Sequence, residues 1–408
     1  MQDAQETGRR GSWAARAAVA LAMGVAGTLL LGYGFLSYQV GARHVNFVRS
    51  STATDLFPQK WLWEGYARLY EALDPQGAEQ AFQKALERHP TFMDAWWALF
   101  RTRVEQGKMD DARAMLQLLS KNLAQVSTWK WQECLGAFDL RDDAVLASCV
   151  AFILERMPAR SRDAVFLAEQ YWGHWEAVAD HVKPTQHEAL LRQWVAAKDL
   201  TAAYGLWQRM RRAQVSAEPK TTLQLCDALL GERKLMEAKE VWRHYAGAEN
   251  SGVYDGGFEQ EPLRMAFGWR ITKTRDAAVE RSVIEPFEGR YSLHVRFLGT
   301  ANTAFSHVAQ VVPLRPDTPY RLRFARKARG LTTDQGVFVE VTGYGCQGLS
   351  VRSEPLLGTA PWSVETLAFH APSECEAAWI RLRRKESLKF DNKIFGDYWL
   401  DSVTIETP

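Results

Sequence analysis

Residues 78–90 read AEQAFQKALERHP, and their spacing decides the architecture of the middle of the chain. Ala78, Phe82 and Ala85 recur every three or four positions, so they share one face of a helix, and Pro90 stops that helix. The small residues admit a neighbouring helix closely, while Phe82 fills the gap beside them. A shift of 34 residues, from 78 to 112, lands on Ala112, Leu116, Leu119 and Ala124. Trp96 and Leu99 supply the apolar positions of the intervening helix, which Gly107 ends.

From about Leu56 to Tyr245 the same reading gives successive amphipathic helices joined by short turns. Asp143-Ala144 with Ala151 and Pro158, Thr201-Ala202-Ala203 with Trp207, and Glu237-Ala238 with Trp242 mark further second helices at irregular spacing. About five helical hairpins are expected, each burying one apolar face against its neighbours. The units at residues 78–90 and 112–124 resemble tetratricopeptide repeats. That resemblance implies an α-solenoid over residues 56–247 whose concave groove takes a protein partner. Trp61, Trp96, Trp129, Trp172 and Trp207 stand at helical spacing, as core wedges between helices or as faces of that groove.

Upstream, no charged residue lies between Arg16 and Arg43. A helix over residues 17–42 spans about 39 Å, ample for a hydrocarbon core of about 30 Å. Tyr33, Phe35 and Tyr38 gather toward one end, where an interfacial aromatic belt sits. Val40-Gly41-Ala42 also satisfies a small-residue cleavage pattern, but the apolar stretch is longer than a signal core of about 7–15 residues. The expectation is an N-terminal tail (1–16), a single uncleaved transmembrane helix (17–42) and a linker (43–55). Arg9, Arg10 and Arg16 precede the span more closely spaced than Arg43, Arg49 and Lys60 follow it. That bias favours a cytoplasmic N-terminus at an inner (cytoplasmic) membrane, with the bulk of the chain on the periplasmic or extracellular side.

Downstream of Ala246 the helical period stops and Gly252, Gly256 and Gly257 appear. Residues 293–297, 320–324, 337–341 and 380–383 then alternate apolar and polar with period two, so each lines one face of a strand. Strands at this spacing without intervening helices give a C-terminal antiparallel β-sandwich, or jelly roll, over residues 248–408. The order of marks is Asp255-Gly256-Gly257-Phe258-Glu259, Gly289-Arg290-Tyr291-Ser292-Leu293, Gln310 before Val311-Val312-Pro313, Trp362, and the closing Tyr398-Trp399-Leu400-Asp401. It resembles carbohydrate-binding modules of the galactose-binding-like type. The fold class is therefore multidomain α plus β.

That resemblance implies a structural calcium ion near the junction of the opening loop and the last strand, with Glu259 and Asp401 as its acidic ligands. The alternative is that Glu259 caps a turn and Asp401 pairs with an arginine. It further implies glycan binding, for which Trp269, Arg270, Tyr344 and Trp379 are the candidate contacts, with Asp334, Gln335 and Gln347 as polar company. Each of these fits a core or rim role as well. Trp399, on the closing strand, is expected to pack inward. Residues 381–385, RLRRK, either attract an anionic glycan or form a solvated strand edge.

Fifty Lys and Arg against 48 Asp and Glu leave a net charge of +2, which exerts no general pull on nucleic acid. The five Cys show no paired metal-ligand spacing, so zinc is not expected. Cys346 and Cys375 could form a bridge in an oxidising compartment. No phosphate loop, nucleophile elbow or HExxH motif is present, so no catalytic residue is assigned. The resulting expectation is a membrane-anchored, non-catalytic scaffold of the cell envelope, in a setting of polysaccharide assembly or export. The solenoid would hold a protein and the sandwich a glycan or envelope component. A pure protein–protein adaptor with the sandwich as spacer, and an unrecognised glycan-processing enzyme, are the alternatives.

Overall fold

The computed structural model describes residues 3–247 and 252–408, with side chains from residue 21 onward. Met1, Gln2 and the side chains of the expected tail and of the first residues of the expected span lie outside the described residues, as do residues 248–251. The first helix, α1 (Asp3–Gly41), contains Leu21–Gly41, a stretch long and apolar enough to cross a membrane. Leu29, Leu30 and Leu31 on it are exposed, as side chains facing lipid are. The chain divides into two compact units, Met1–Gly173 and His174–Pro408. The division falls inside the segment expected as one solenoid, so the last helices share a unit with the sheets.

In the first unit a short helix, α2 (Val45–Ser50), leads into three hairpins. They are α3 (Pro58–Tyr70) with α4 (Pro75–Arg88), α5 (Met93–Glu105) with α6 (Met109–Asn122), and α7 (Lys130–Leu140) with α8 (Asp143–Arg156). A further helix, α9 (Ser161–Trp172), packs on α8. Helix starts follow their caps. Asp74 accepts from the Gly77 N–H at 2.9 Å with Pro75 in the first turn, and Asp142 accepts from Val145 N–H at 3.0 Å. Gly107 (φ 73°) turns α5 into α6, and Arg141 (φ 54°) turns α7 into α8. Close packing of α3 on α4 rests on Gly65, where an added Cβ would stand 2.3 Å from the Phe82 ring.

Two features of this unit were not legible in the sequence. Lys130 and Glu133 form a fully buried ion pair (2.7 Å), and the Ser120 hydroxyl donates to Glu133 at 2.8 Å. Cys134 and Cys149 form a disulfide joining α7 to α8, with Cα atoms 5.7 Å apart.

The second unit opens with α10 (Trp175–His181), followed by the hairpins α11 (His187–Ala197) with α12 (Leu200–Arg212) and α13 (Pro219–Gly231) with α14 (Leu235–Ala246). Of the tryptophans singled out in the helical region, Trp207 is a core wedge, whereas Trp61, Trp96, Trp129 and Trp172 are half-buried. Beyond residue 252 ten strands build two antiparallel five-stranded sheets. The first has the order β1 (Arg270–Ile271), β4 (Phe305–Pro313), β9 (Ala377–Arg384), β6 (Phe338–Gly343), β7 (Ser350–Arg352). The second has β2 (Ala277–Ser282), β3 (Ser292–Leu298), β10 (Phe395–Glu406), β5 (Pro319–Leu331), β8 (Gly358–His370).

Alternate residues of both sheets, among them Val295, Phe297, Leu322, Phe324, Val339, Ile380 and Leu400, meet in one core. The opening loop closes onto the last strand: Val403 N–H donates to Gly256 O, and a Cβ at Gly256 would stand 1.9 Å from Val403 O. Only glycine permits that approach. Cys346 and Cys375 are bridged, with Cα atoms 5.3 Å apart.

Candidate functional site

Of the four candidate glycan contacts, Trp269 is removed from consideration. It is 2% exposed, its ring lies 5.0 Å from Phe258 within the core, and its indole N–H donates to Asp255 O. It offers no face to a ligand because it fills the space under the opening loop. Arg270, Tyr344 and Trp379 do come together, with Tyr344 5.5 Å and Arg270 5.8 Å from the Trp379 ring. The polar groups of Arg270 and Tyr344, however, are engaged by helix α13. Arg270 pairs with Asp227 at 2.7 Å, and the Tyr344 hydroxyl donates to Leu230 O at 2.7 Å. The cluster is a seam fixing the last hairpin to the first sheet, and Lys239 of α14 extends it to Leu314 O and Glu376. Asp334 and Gln335 lie apart from it, where Asp334 accepts from Ser387 Oγ and Gln335 O from Arg384. Gln347 is exposed beside Cys375.

The outer face of the second sheet carries a cluster that the sequence reading missed. Along β10 the core takes Tyr398 and Leu400, so Asp397, Trp399 and Asp401 project from the opposite face. Trp399 therefore does not pack into the sandwich core as expected. It is buried instead beneath side chains of its neighbours. His294 stacks on it at 4.7 Å and 11°, while Lys327 and Arg329 lie 5.2 and 5.1 Å from its ring. Its indole N–H has no partner among the described residues. Asp397 accepts from His294 Nε2 at 2.7 Å and Arg296 Nε at 3.2 Å, and faces Arg329 at 3.6 Å. Burial alone would raise the Asp397 carboxyl, but the His294 and Arg296 hydrogen bonds outweigh it and hold it below the usual carboxylate range.

The loop after β2 completes this face. Glu285 pairs with Lys327, its carbonyl accepts from Trp362 Nε1 at 3.0 Å, and Phe287 lies 5.6 Å from the Trp362 ring. Half-exposed rings beside charged side chains are the combination a sugar needs: an apolar platform for its C–H face and partners for its hydroxyls. The signal in the sequence was the alternation of Asp397, Trp399 and Asp401, which places three polar-tipped residues on one face.

Glu259 and Asp401 are brought near each other. A Cβ added at Gly257 would lie 3.7 Å from Glu259 Cγ and 3.9 Å from Asp401 Oδ1. Glu259 accepts from the Arg290 and Tyr291 N–H groups, and Asp401 from those of Phe287, Glu288 and Ser402. Asp401 pairs with no arginine among the described residues. Burial raises its carboxyl above the ordinary value, backbone N–H groups oppose that, and the Glu259 charge adds to it. A buried carboxylate facing a second one suits a hard cation, but these two supply only part of the six or more oxygens calcium takes. Among the described residues no third acidic, His or Cys side chain joins them.

The first unit holds a second site. A cavity of about 210 Å³ is lined by the first helices of the three hairpins, through Tyr66 of α3, Trp97 and Arg101 of α5, and Trp131 and Asp139 of α7. Behind the lining, the Trp97 indole N–H and the Gln132 side-chain carbonyl are buried without a partner among the described residues. Loss of hydration raises the Asp139 carboxyl, with Arg101 opposing. Asp94 at the same cavity carries a second negative charge, so the lining is acidic by one charge overall.

The comparisons with known proteins fall on these two regions. A tetratricopeptide-repeat family model matches residues 69–130. No curated protein matches the chain. Among solved structures, a CBM4 module is 16% identical and covers 38% of this chain and 99% of its own, with a TM-score of 0.29. A family 16 carbohydrate-binding module is 16% identical and covers 38% and 98%, at 0.28. The enzymatically active domain of bacteriophage CBA120 tailspike protein 4 is 15% identical and covers 39% and 22%, at 0.30. A tetratricopeptide model therefore matches within the helical middle, and carbohydrate-binding modules are among the solved structures to which the chain is similar. The sandwich assignment itself rests on the order and pairing of its two sheets.

Proposed function

We propose that this chain is a membrane-tethered, non-catalytic recruiting protein of the cell envelope. In this reading α1 spans the inner membrane with a cytoplasmic N-terminus, the helical hairpins hold a protein partner, and the outer face of the second sheet holds a glycan during polysaccharide assembly or export. The observation that carries it is the aromatic cavity, whose α5 lining, Asp94, Trp97 and Arg101 among it, lies inside the tetratricopeptide match. The aromatic lining offers a platform for a partner side chain, and the excess negative charge calls for a basic one.

Two disulfides support placement outside the cytoplasm, since such bonds persist in oxidising compartments. A structural cation at Glu259 and Asp401 would tie the loops at residues 256–259 and 286–291 to β10, and supplies no chemistry in this account. The adaptor reading, with the sandwich as spacer, is favoured by the seam of Arg270, Tyr344 and Trp379, which commits that face to a helix.

A glycan array probed with the detergent-solubilised full chain separates the two. Binding that Trp362→Ala or Arg329→Ala abolishes, at unchanged melting temperature, supports the glycan reading. If no oligosaccharide binds, the adaptor reading replaces it. For the helical site, a basic peptide that binds the wild type and is lost with Asp139→Lys is the expected result; indifference to that substitution overturns the assignment of the cavity.

A further inference from the structure

The connection between β9 and β10 presents two apolar side chains wholly to solvent, Leu388 (101% exposed) and Phe390 (104%). Isolated exposed leucines are ordinary, but this pair stands on a firmly held base. Arg384, 1% exposed, donates to Gln335 O, Thr303 O, Asn302 Oδ1, Thr333 Oγ1 and Asn392 O, across the foot of the loop. Asn302 clamps Ser387 from both sides, through its carbonyl and its N–H. The Ser387 hydroxyl donates to Asp334 at 2.6 Å and accepts from Lys389 N–H. The tip therefore cannot fold its apolar residues back without breaking this network. At the root of the same loop Phe395 pairs with Leu298 across β10 and β3, and both are exposed.

We infer that this loop is a lipid-interface wedge, in which Leu388 and Phe390 enter the acyl boundary of a bilayer. Lys385, Lys389 and Lys393 are all exposed around the pair, and long lysine stems let the ammonium groups stay at headgroup level while the tip is immersed. Against Glu386 and Asp391 they leave segment 385–393 at +1, three minus two, so the apolar pair carries the binding and anionic lipid adds a small increment. A narrow two-residue wedge ringed by lysines suits a soft interface better than a flat protein partner, whose interfaces deplete lysine. The membrane reading of α1 enters only by keeping a bilayer within reach.

The test uses the chain's own cysteine economy: four Cys are bridged and Cys226 is buried, with burial raising its thiol further from reactivity. Phe390→Cys in the full-length chain therefore takes a polarity-sensitive nitrobenzoxadiazole label at one place. The labelled protein is bound to phosphatidylcholine vesicles, with and without phosphatidylglycerol, that carry lipid-borne spin quenchers. Blue-shifted emission quenched by the lipid is expected with both compositions, slightly more with phosphatidylglycerol. Leu388→Asp in the same chain cuts the inserted fraction about tenfold, without moving the melting temperature. Water-like emission from vesicle-bound protein overturns the inference, and so does blue-shifted emission that lipid quenchers leave untouched, because a protein surface then covers the loop. Where α1 does not hold the chain on vesicles, the label is read with vesicles simply mixed in, and emission that stays water-like there overturns the inference.

Discussion

Loss of either disulfide gives the sharpest quantitative prediction. The bridges close loops of 15 residues (Cys134–Cys149) and 29 residues (Cys346–Cys375). Chain-entropy arguments assign about 3 kcal/mol to the first and about 3.6 kcal/mol to the second, through the conformations each removes from the unfolded chain. For units of this size each kcal/mol moves the melting temperature by about 2–4 °C. Cys134→Ala/Cys149→Ala should therefore lower the first unit's transition by about 6–12 °C, and Cys346→Ala/Cys375→Ala should do somewhat more to the second. Alanine is the right replacement because three of the four sulfurs are fully buried and a serine hydroxyl there would lack a partner. The assay is differential scanning calorimetry of the full chain in detergent, paired with thiol counting by mass spectrometry after denaturation. Wild type from cells should alkylate at one cysteine without reductant and at all five with it. Five alkylations without reductant would mean the bridges never formed, and the argument for an oxidising compartment would fall with them.

Other outcomes follow from single groups. Arg384→Met should destabilise the second unit by about 3 kcal/mol, because it strands the buried Thr303 carbonyl and removes four part-buried hydrogen bonds; urea unfolding measures it, and a loss near zero would mean water replaces the guanidinium. Asp397 sits below its unfolded value, so its contribution is complete above about pH 4 and disappears as pH falls through the lower folded value. Asp397→Asn should flatten that acid limb in a melting-temperature profile. For Asp401 the sign is opposite. Its raised folded pKa makes its contribution best below the unfolded value of about 4 and worse as pH rises through the folded one. In chelator, wild type should lose stability over that rise, calcium should restore it, and Asp401→Asn should abolish both effects; identical profiles with and without calcium would remove the cation from the account.

What could be read from residues alone follows from what is local. Ala78, Phe82 and Ala85 specify a helix face, and the alternation at 293–297 and 320–324 specifies strands, because both periods depend only on neighbours in the chain. The face proposed for binding was not legible, because exposure on a sheet depends on what covers it. Tyr344 and Arg270 suit a sugar by residue type but are taken by α13, and Trp269 is covered by the opening loop. Trp399 is expected inward because its strand is the closing one in the modules this region resembles, whereas its outward side is visible only through the flanking Asp397 and Asp401. The Cys134–Cys149 bridge joins two helices whose facing depends on the turn at Arg141, a left-handed residue that the sequence does not advertise.

The account stands or falls on recruitment without chemistry, and one experiment reads both halves. Full-length protein is reconstituted into liposomes, mixed with envelope polysaccharide and floated on a density gradient, and the polysaccharide is then sized. The account predicts that polysaccharide rises with the vesicles, that Trp362→Ala leaves it at the bottom, and that its length distribution is unchanged after prolonged incubation. Shortened or newly reducing chains, or polysaccharide that never leaves the bottom of the gradient, would contradict it.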